Sequence, residues 1–189
     1  MNTSVELVLL KCPQCSTPVP AGEDEVAWVC QTCGQGLQLT AEGLAPLAVH
    51  WSARGAGQPE WLPFWVLTGT ANFAIRESYD GRAKQNPLWA EPRRFYVPAY
   101  PASLQDIEAL GGELTRAQVL LEAGPPAGVV QNCTLLPEDA RRAAEFIVMT
   151  IEADRKDKVR NMSFALNLGA PELWLLPFEG GRAARNLIS

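Results

Sequence analysis

One histidine, His50, serves the whole chain, and no spacing that cradles a nucleotide, raises a nucleophilic serine or pairs two histidines on a helix is present. His50 lies beside Trp51 in a Gly- and Ala-rich stretch with no neighbour to orient it as a base, so it is not taken as catalytic. Long apolar runs are missing as well. The longest, near 62–67 and 146–151, fall well short of the ~20 residues needed to cross a bilayer. Positive charge is scarce: 16 Lys and Arg against 21 Asp and Glu leave a net charge of -5, which argues against non-specific binding to DNA or RNA. The opening "MNTSVELVLLKCPQC" has no basic segment, only a short apolar run and no small-residue cleavage site, so a cytoplasmic location is expected. There, paired thiols serve metal or redox chemistry more often than structural disulfides.

What the chain does have is four of its five cysteines within 22 residues, as two C-x-x-C pairs. Cys12 and Cys15 form the first, Cys30 and Cys33 the second, and fourteen residues separate them. A C-x-x-C turn points both sulfurs to one side, and two such turns facing each other complete a tetrahedral site of four thiolates. Gly34 follows the second pair, where the turn tends to need a positive φ. Between the pairs, Pro18, Pro20 and Gly22 supply a turn, and Val26, Trp28 and Cys30 share one side of a strand. Leu37 and Leu39 mark a second short strand, with "AEG" as the turn beyond it.

This pattern resembles a zinc ribbon over about residues 8–45. The resemblance implies a structural Zn2+ held by Cys12, Cys15, Cys30 and Cys33, closed to water and substrate. Ser16 departs from the common form, which carries Gly there, and implies a less regular first turn. Iron in a rubredoxin-like site could use the same ligands, although such proteins place their pairs further apart. A thioredoxin-type redox pair would be expected before a helix in a βαβ pattern, and neither pair has that setting.

Beyond residue 48 the composition changes, and "VHWSARGAGQPEW" reads as a linker. The expected domains are a zinc ribbon at 1–48 and a β-rich α+β domain at 49–189. In the second, Phe64–Leu67 suit a strand covered on both faces. A turn or bulge is expected near Thr68–Thr70, then a strand with one wetter face through Tyr79. "DGRAKQNP" opens as a turn, and "RRFYVPAYP" is a strand ended by Pro98 and Pro101. Ser103 and Asp106 form a capping box for a short helix stopped at Gly111 and Gly112. Pro137, Glu138 and Asp139 begin the one main α-helix, about 137–155, with Ala140, Ala144, Ile147 and Ile151 on its apolar stripe. Met162, Phe164, Leu166 and Leu168 alternate, and with a turn at 169–171 and a return at 173–176 they read as a hairpin. "WLPF" at 61–64 is echoed by "WLLPF" at 174–178 and more loosely by "FYVPAY" at 95–100, which a structural duplication would produce, but irregular spacing favours independent strands ending at proline. The closing "EGGRAARNLIS" reads as a mobile or partner-bound tail.

Cys133 reads as a small buried side chain. Trp51, Trp61, Trp65 and Trp89 fall within forty residues, near Arg54, Arg76, Arg82, Arg93 and Arg94. They suit either a core with an arginine-dressed rim or an aromatic and arginine-rich surface for a protein partner. Residues 51–100 hold six Lys or Arg against four Asp or Glu, too slight an excess for a stripe that tracks phosphates. The function expected is a non-catalytic zinc-ribbon adaptor or accessory subunit, binding protein partners within a larger intracellular assembly. The alternative is a zinc-ribbon protein associated with nucleic acid in replication, transcription or RNA processing.

Overall fold

Two sheets of very different size share the chain in the computed structural model, which describes residues 9–53, 59–81, 84–179 and 186–187. The architecture is α+β. Turn chemistry around the cysteines shapes the smaller sheet, of β1 (Ala27–Val29), β2 (Gly36–Thr40) and β3 (Gly43–Leu47), antiparallel in that order. The "AEG" segment is the β2–β3 turn, and β3 is a strand beyond the two expected. Ala27 and Trp28 are both buried because the two faces of β1 are covered by different cores, Trp28 by the cysteine module and Ala27 by the large sheet.

One residue after β3 the chain enters the large sheet as β4 (Val49–Trp51). Residues 54–58 of the expected linker lie outside the described residues, as do Arg82 and Ala83 of the "DGRAKQNP" turn. Its spine is β5 (Glu60–Ser78), a single 19-residue strand through the segment expected to turn at Thr68–Thr70. Gly69 lets it pass there, since a Cβ would sit 2.0 Å from the Asn167 carbonyl oxygen. The register shifts lie further on, between Phe73 and Ile75 and between Glu77 and Ser78. On one side of β5 runs β6 (Arg93–Pro98), reached through a 3-10 turn at Pro87–Trp89.

On the other side lie β7 (Val159–Leu168) and β8 (Glu172–Glu179), where a hairpin was expected. They do not pair with each other. Both run antiparallel to β5, end to end, with β7 against Gly69–Ser78 and β8 against Glu60–Val66. The Gly169 N–H donates to the Thr68 carbonyl at 2.9 Å, so the chain continues along the same neighbour instead of reversing. β4 adds to β8 in parallel, and β9 (Asn186–Leu187) adds to its far end. Other tail residues, 180–185 and 188–189, lie outside the described set. The two echoing segments meet in this sheet, with Trp61 opposite Pro177 and Phe64 opposite Trp174. Pro63 and Pro177 are thus inside strands, not at their ends.

Among the described residues the α-helices are α1 (Leu104–Ala117) and α2 (Pro137–Ala153). The Ser103–Asp106 capping box starts α1, and Pro137 opens α2. The glycine pair does not stop α1, which ends at Gln118 with φ 52. A Cβ at Gly111 would lie 2.7 Å from the Tyr96 carbonyl oxygen and 2.5 Å from Ile147 Cδ1. Gly111 is therefore a close-packing position between β6 and α2. Ala140, Ala144, Ile147 and Ile151 of α2 are buried with Trp65, Leu67, Phe95 and Val97 on one face of the sheet. Leu62, Phe64, Val66 and Tyr96 fill the other face with Leu114 of α1.

Candidate metal centre

Each C-x-x-C pair folds into the same turn. The Cys12 N–H donates to the Thr17 carbonyl at 2.9 Å and the Cys30 N–H to the Gln35 carbonyl at 2.8 Å. Four residues after each first cysteine, the N–H of Ser16 or Gly34 returns to the carbonyl of Cys12 or Cys30, both at 2.8 Å. The same backbone conformation closes both, with φ 61 at Ser16 and 76 at Gly34. The first turn is as regular as the second. A serine holds the left-handed conformation that glycine adopts without strain, at a cost of about 1 kcal/mol.

The turns bring the four sulfurs within 4.8 Å of one another, with Cys12 and Cys33 3.6 Å apart and Cys15 and Cys30 likewise 3.6 Å. Four thiolates at a tetrahedral zinc, each about 2.3 Å from the metal, would stand about 3.8 Å apart. The cluster fits a metal of that kind. All five cysteines are unbridged, and Cys12 and Cys30 are buried. The Thr17 hydroxyl, 3.3 Å from Cys15 Sγ, and the Thr17 backbone hold the Cys15 thiol down to about 6. The Gln35 backbone favours the Cys33 thiolate, but burial and the neighbouring thiols push Cys33 up to about 12. Negative charge on one sulfur thus opposes it on another, the repulsion a divalent cation relieves.

Around the cluster the core is small. Among the described residues, Val19, Trp28 and Leu37 are the buried side chains besides Cys12 and Cys30. Glu25, in the acidic "GEDE" stretch, accepts from the Gly22 N–H at 2.7 Å and from Trp28 Nε1 at 2.8 Å, so it braces the turn between the pairs. Cys133 carries the junction with the large sheet: its N–H donates to the Ala27 carbonyl at 2.9 Å, and its carbonyl accepts from Val26 at 2.8 Å. Burial, with the Glu25 charge adding, pushes its thiol up to about 12, which leaves it an inert packing group.

The tryptophans weighed as a partner surface are buried. Trp51 and Trp61 meet edge to face at 5.0 Å. Trp65 Nε1 donates to the Leu135 carbonyl at 2.7 Å, and Trp89 stacks on Phe95. With side chains between 1% and 9% exposed, all four belong to the core and not to a contact surface. His50 stacks on Trp174 at 4.9 Å.

A second polar cluster escaped the sequence reading. Glu152, fully buried on α2, accepts from Arg76 Nε at 2.6 Å and from Asn86 Nδ2 and Trp89 Nε1 at 2.7 Å each. Arg76 also grips Asp157 with both terminal nitrogens, at 2.7 and 3.0 Å. The signal was a charged residue next to Ile151 on an apolar stripe. Every bond of Glu152 ties β5, the 3-10 turn and α2 together, which is a structural brace.

No family model matches this chain, and no curated protein or solved structure matches it.

Proposed function

We propose that the protein is a non-catalytic zinc-ribbon adaptor or accessory subunit, in which Zn2+ on Cys12, Cys15, Cys30 and Cys33 is a structural staple. The supporting observation is the closed set of four sulfurs. A metal held by four protein thiolates has no open position at which water or a substrate could be activated. The module's few buried side chains also need such a staple, since segments under about 40 residues rarely fold on a core alone.

A contact surface for a protein partner is placed on the segment between α1 and α2, residues 118–136. It crosses the seam of the two sheets, bridging Ser52 to Ala123, Trp61 to Val130 and Ala27 to Cys133. Long irregular connections inside a compact fold are commonly functional. This one carries Leu120 and Val129 exposed at 71% and 78%. Affinity purification of the native complex from the source cells, with metal analysis of the same sample, tests the proposal. Stoichiometric zinc and a fixed set of co-purifying proteins are expected. A monomer that holds no zinc, or that turns over a substrate, contradicts it. Recovery with single-stranded nucleic acid alone, released steeply by moderate salt, would favour the nucleic-acid reading.

A further inference from the structure

Two of the large sheet's outer strands have their free edges closed. Along β6, the Thr115 hydroxyl accepts from the Tyr96 N–H at 3.2 Å, while the Gln118 side-chain amide accepts from Arg94 N–H and donates to its carbonyl. Beyond β4, Ala53 N–H donates to Glu122 and Gly124 N–H donates to Trp51, at 2.7 Å each. β7 differs. Its ten residues pair with β5, and among the described residues no other strand pairs with it. Half of its backbone donors and acceptors thus face outward, and a strand edge of this length is a template for another strand.

The sequence of β7 says which strand. "NMSFALN", residues 161–167, has the same order of side-chain character in both directions about Phe164, with Met162 answering Leu166 and Ser163 answering Ala165. An antiparallel copy centred there sets Phe164 against Phe164, Met162 against Leu166, Ser163 against Ala165 and Asn161 against Asn167. Apolar side chains meet apolar ones on the inner face, and small or amide groups meet on the outer face, which is the self-complementarity a two-fold interface requires. Charge permits it too. Arg160, the one charged side chain of β7, is paired with Glu77 at 3.1 Å. In this register the two Arg160 residues lie at opposite ends, about 27 Å apart along the strands and beyond the Debye length. The inner side chains are only partly buried, and Phe164 and Leu166 pack at the margin of the core. Arg141 of α2 reaches the Leu168 and Gly169 carbonyls, which places its row of the helix beside β7. Met149, eight residues on in that row, is 37% exposed, and Phe146 beside it 41%.

We propose that two copies of this chain associate through β7, antiparallel about Phe164, joining their large sheets into one and covering Met149 and Phe146 across the two-fold axis. Sedimentation equilibrium of the intact, metal-loaded protein at micromolar concentrations tests it, with two double variants. Ser163 and Ala165 are exposed, so Ser163→Lys with Ala165→Lys leaves the monomer folded but puts lysines opposite lysines in the dimer. Ser163→Lys with Ala165→Glu puts each lysine opposite a glutamate. The wild type is expected to be dimeric, the Lys/Lys variant to dissociate about tenfold more readily, and the Lys/Glu variant to keep wild-type affinity. Far-ultraviolet circular dichroism and melting temperature confirm that each variant is folded. A monomeric wild type overturns the proposal, as does a dimer indifferent to the Lys/Lys change. Loss of a different co-purifying protein by the Lys/Lys variant of a monomeric wild type would assign the edge to a strand of that protein instead.

Discussion

The cysteine module and the β5-centred domain solve one problem, burying enough surface to fix a chain, by opposite means. The module buries Cys12, Val19, Trp28, Cys30 and Leu37 and leaves its sulfurs to finish the work. The domain covers a long strand on both faces, and its one buried acid is held by three separate donors. The lesson is that removing a ligand should destroy the first region while sparing the second, and removing a core partner should do the reverse. They meet at Cys133, whose backbone holds the Ala27 strand, so the division has a physical seam at which independence can be measured.

The largest expected effect comes from the metal. At the proposed zinc site Cys30→Ser leaves three thiolates, and since structural zinc contributes roughly 10–16 kcal/mol to folding modules of that kind, residues 27–47 should unfold with loss of the metal. Trp28 reports this, because its indole is buried in the module. Red-shifted emission with a nearly unchanged far-ultraviolet spectrum of the helices is expected. Next is Glu152→Ala, which leaves Arg76, 5% exposed in its side chain, with Asp157 as its remaining carboxylate and leaves Asn86 and Trp89 without their acceptor. Losing the buried carboxylate while Asp157 still compensates Arg76 costs about 3 kcal/mol, read as a lower denaturant midpoint for the domain with metal content unchanged.

Smaller effects sharpen the comparison. Gly111→Ala should destabilise by about 1–3 kcal/mol through its clash with Tyr96 and Ile147, whereas Gly112→Ala, with its nearest neighbour 3.7 Å away, should stabilise by up to about 1 kcal/mol. Opposite signs at adjacent glycines, measured by urea denaturation, would establish Gly111 as a packing site. Acid should find the domain's brace. The Arg76 and Arg155 side chains hold the Asp157 carboxyl well below the usual carboxylate range. Its stabilising contribution is therefore complete above the unfolded value near about 3.9 and is lost as pH falls below it. Asp157→Asn should flatten that part of the acid-unfolding curve. Smallest is Ser16→Gly, which relieves the left-handed serine and should stabilise the holo module by about 1 kcal/mol or less.

The module was legible from the chain because its signal is local. Two C-x-x-C spacings and Gly34 fix backbone turns within a few residues, and Ser16 adopts the same turn because four sulfurs over-determine it. The helix starts were legible for the same reason, as Ser103, Asp106 and Pro137 act within one turn. What the sequence concealed depends on neighbours distant along the chain. Gly111 resembles a helix stop until Ile147 and Tyr96 are brought against it. Residues 169–171 resemble a hairpin turn until β5 proves long enough to pair with both flanking strands. The tryptophans could be core or surface by composition, and only the sheet register decides, since Trp61 and Trp65, four residues apart, share one face of a strand covered from both sides. Glu152 was hidden because a buried acid is legible only through its partners, Arg76 and Trp89, which lie 76 and 63 residues away.

The most direct test of the division is hydrogen exchange on the intact protein before and after treatment with a metal chelator. Protection is expected to collapse across Ala27–Val29, Gly36–Thr40 and Gly43–Leu47 while Glu60–Ser78 and Arg93–Pro98 keep theirs. Equal loss in both sheets, or none in the smaller one, would contradict the account of a metal-stapled module docked on a self-sufficient core.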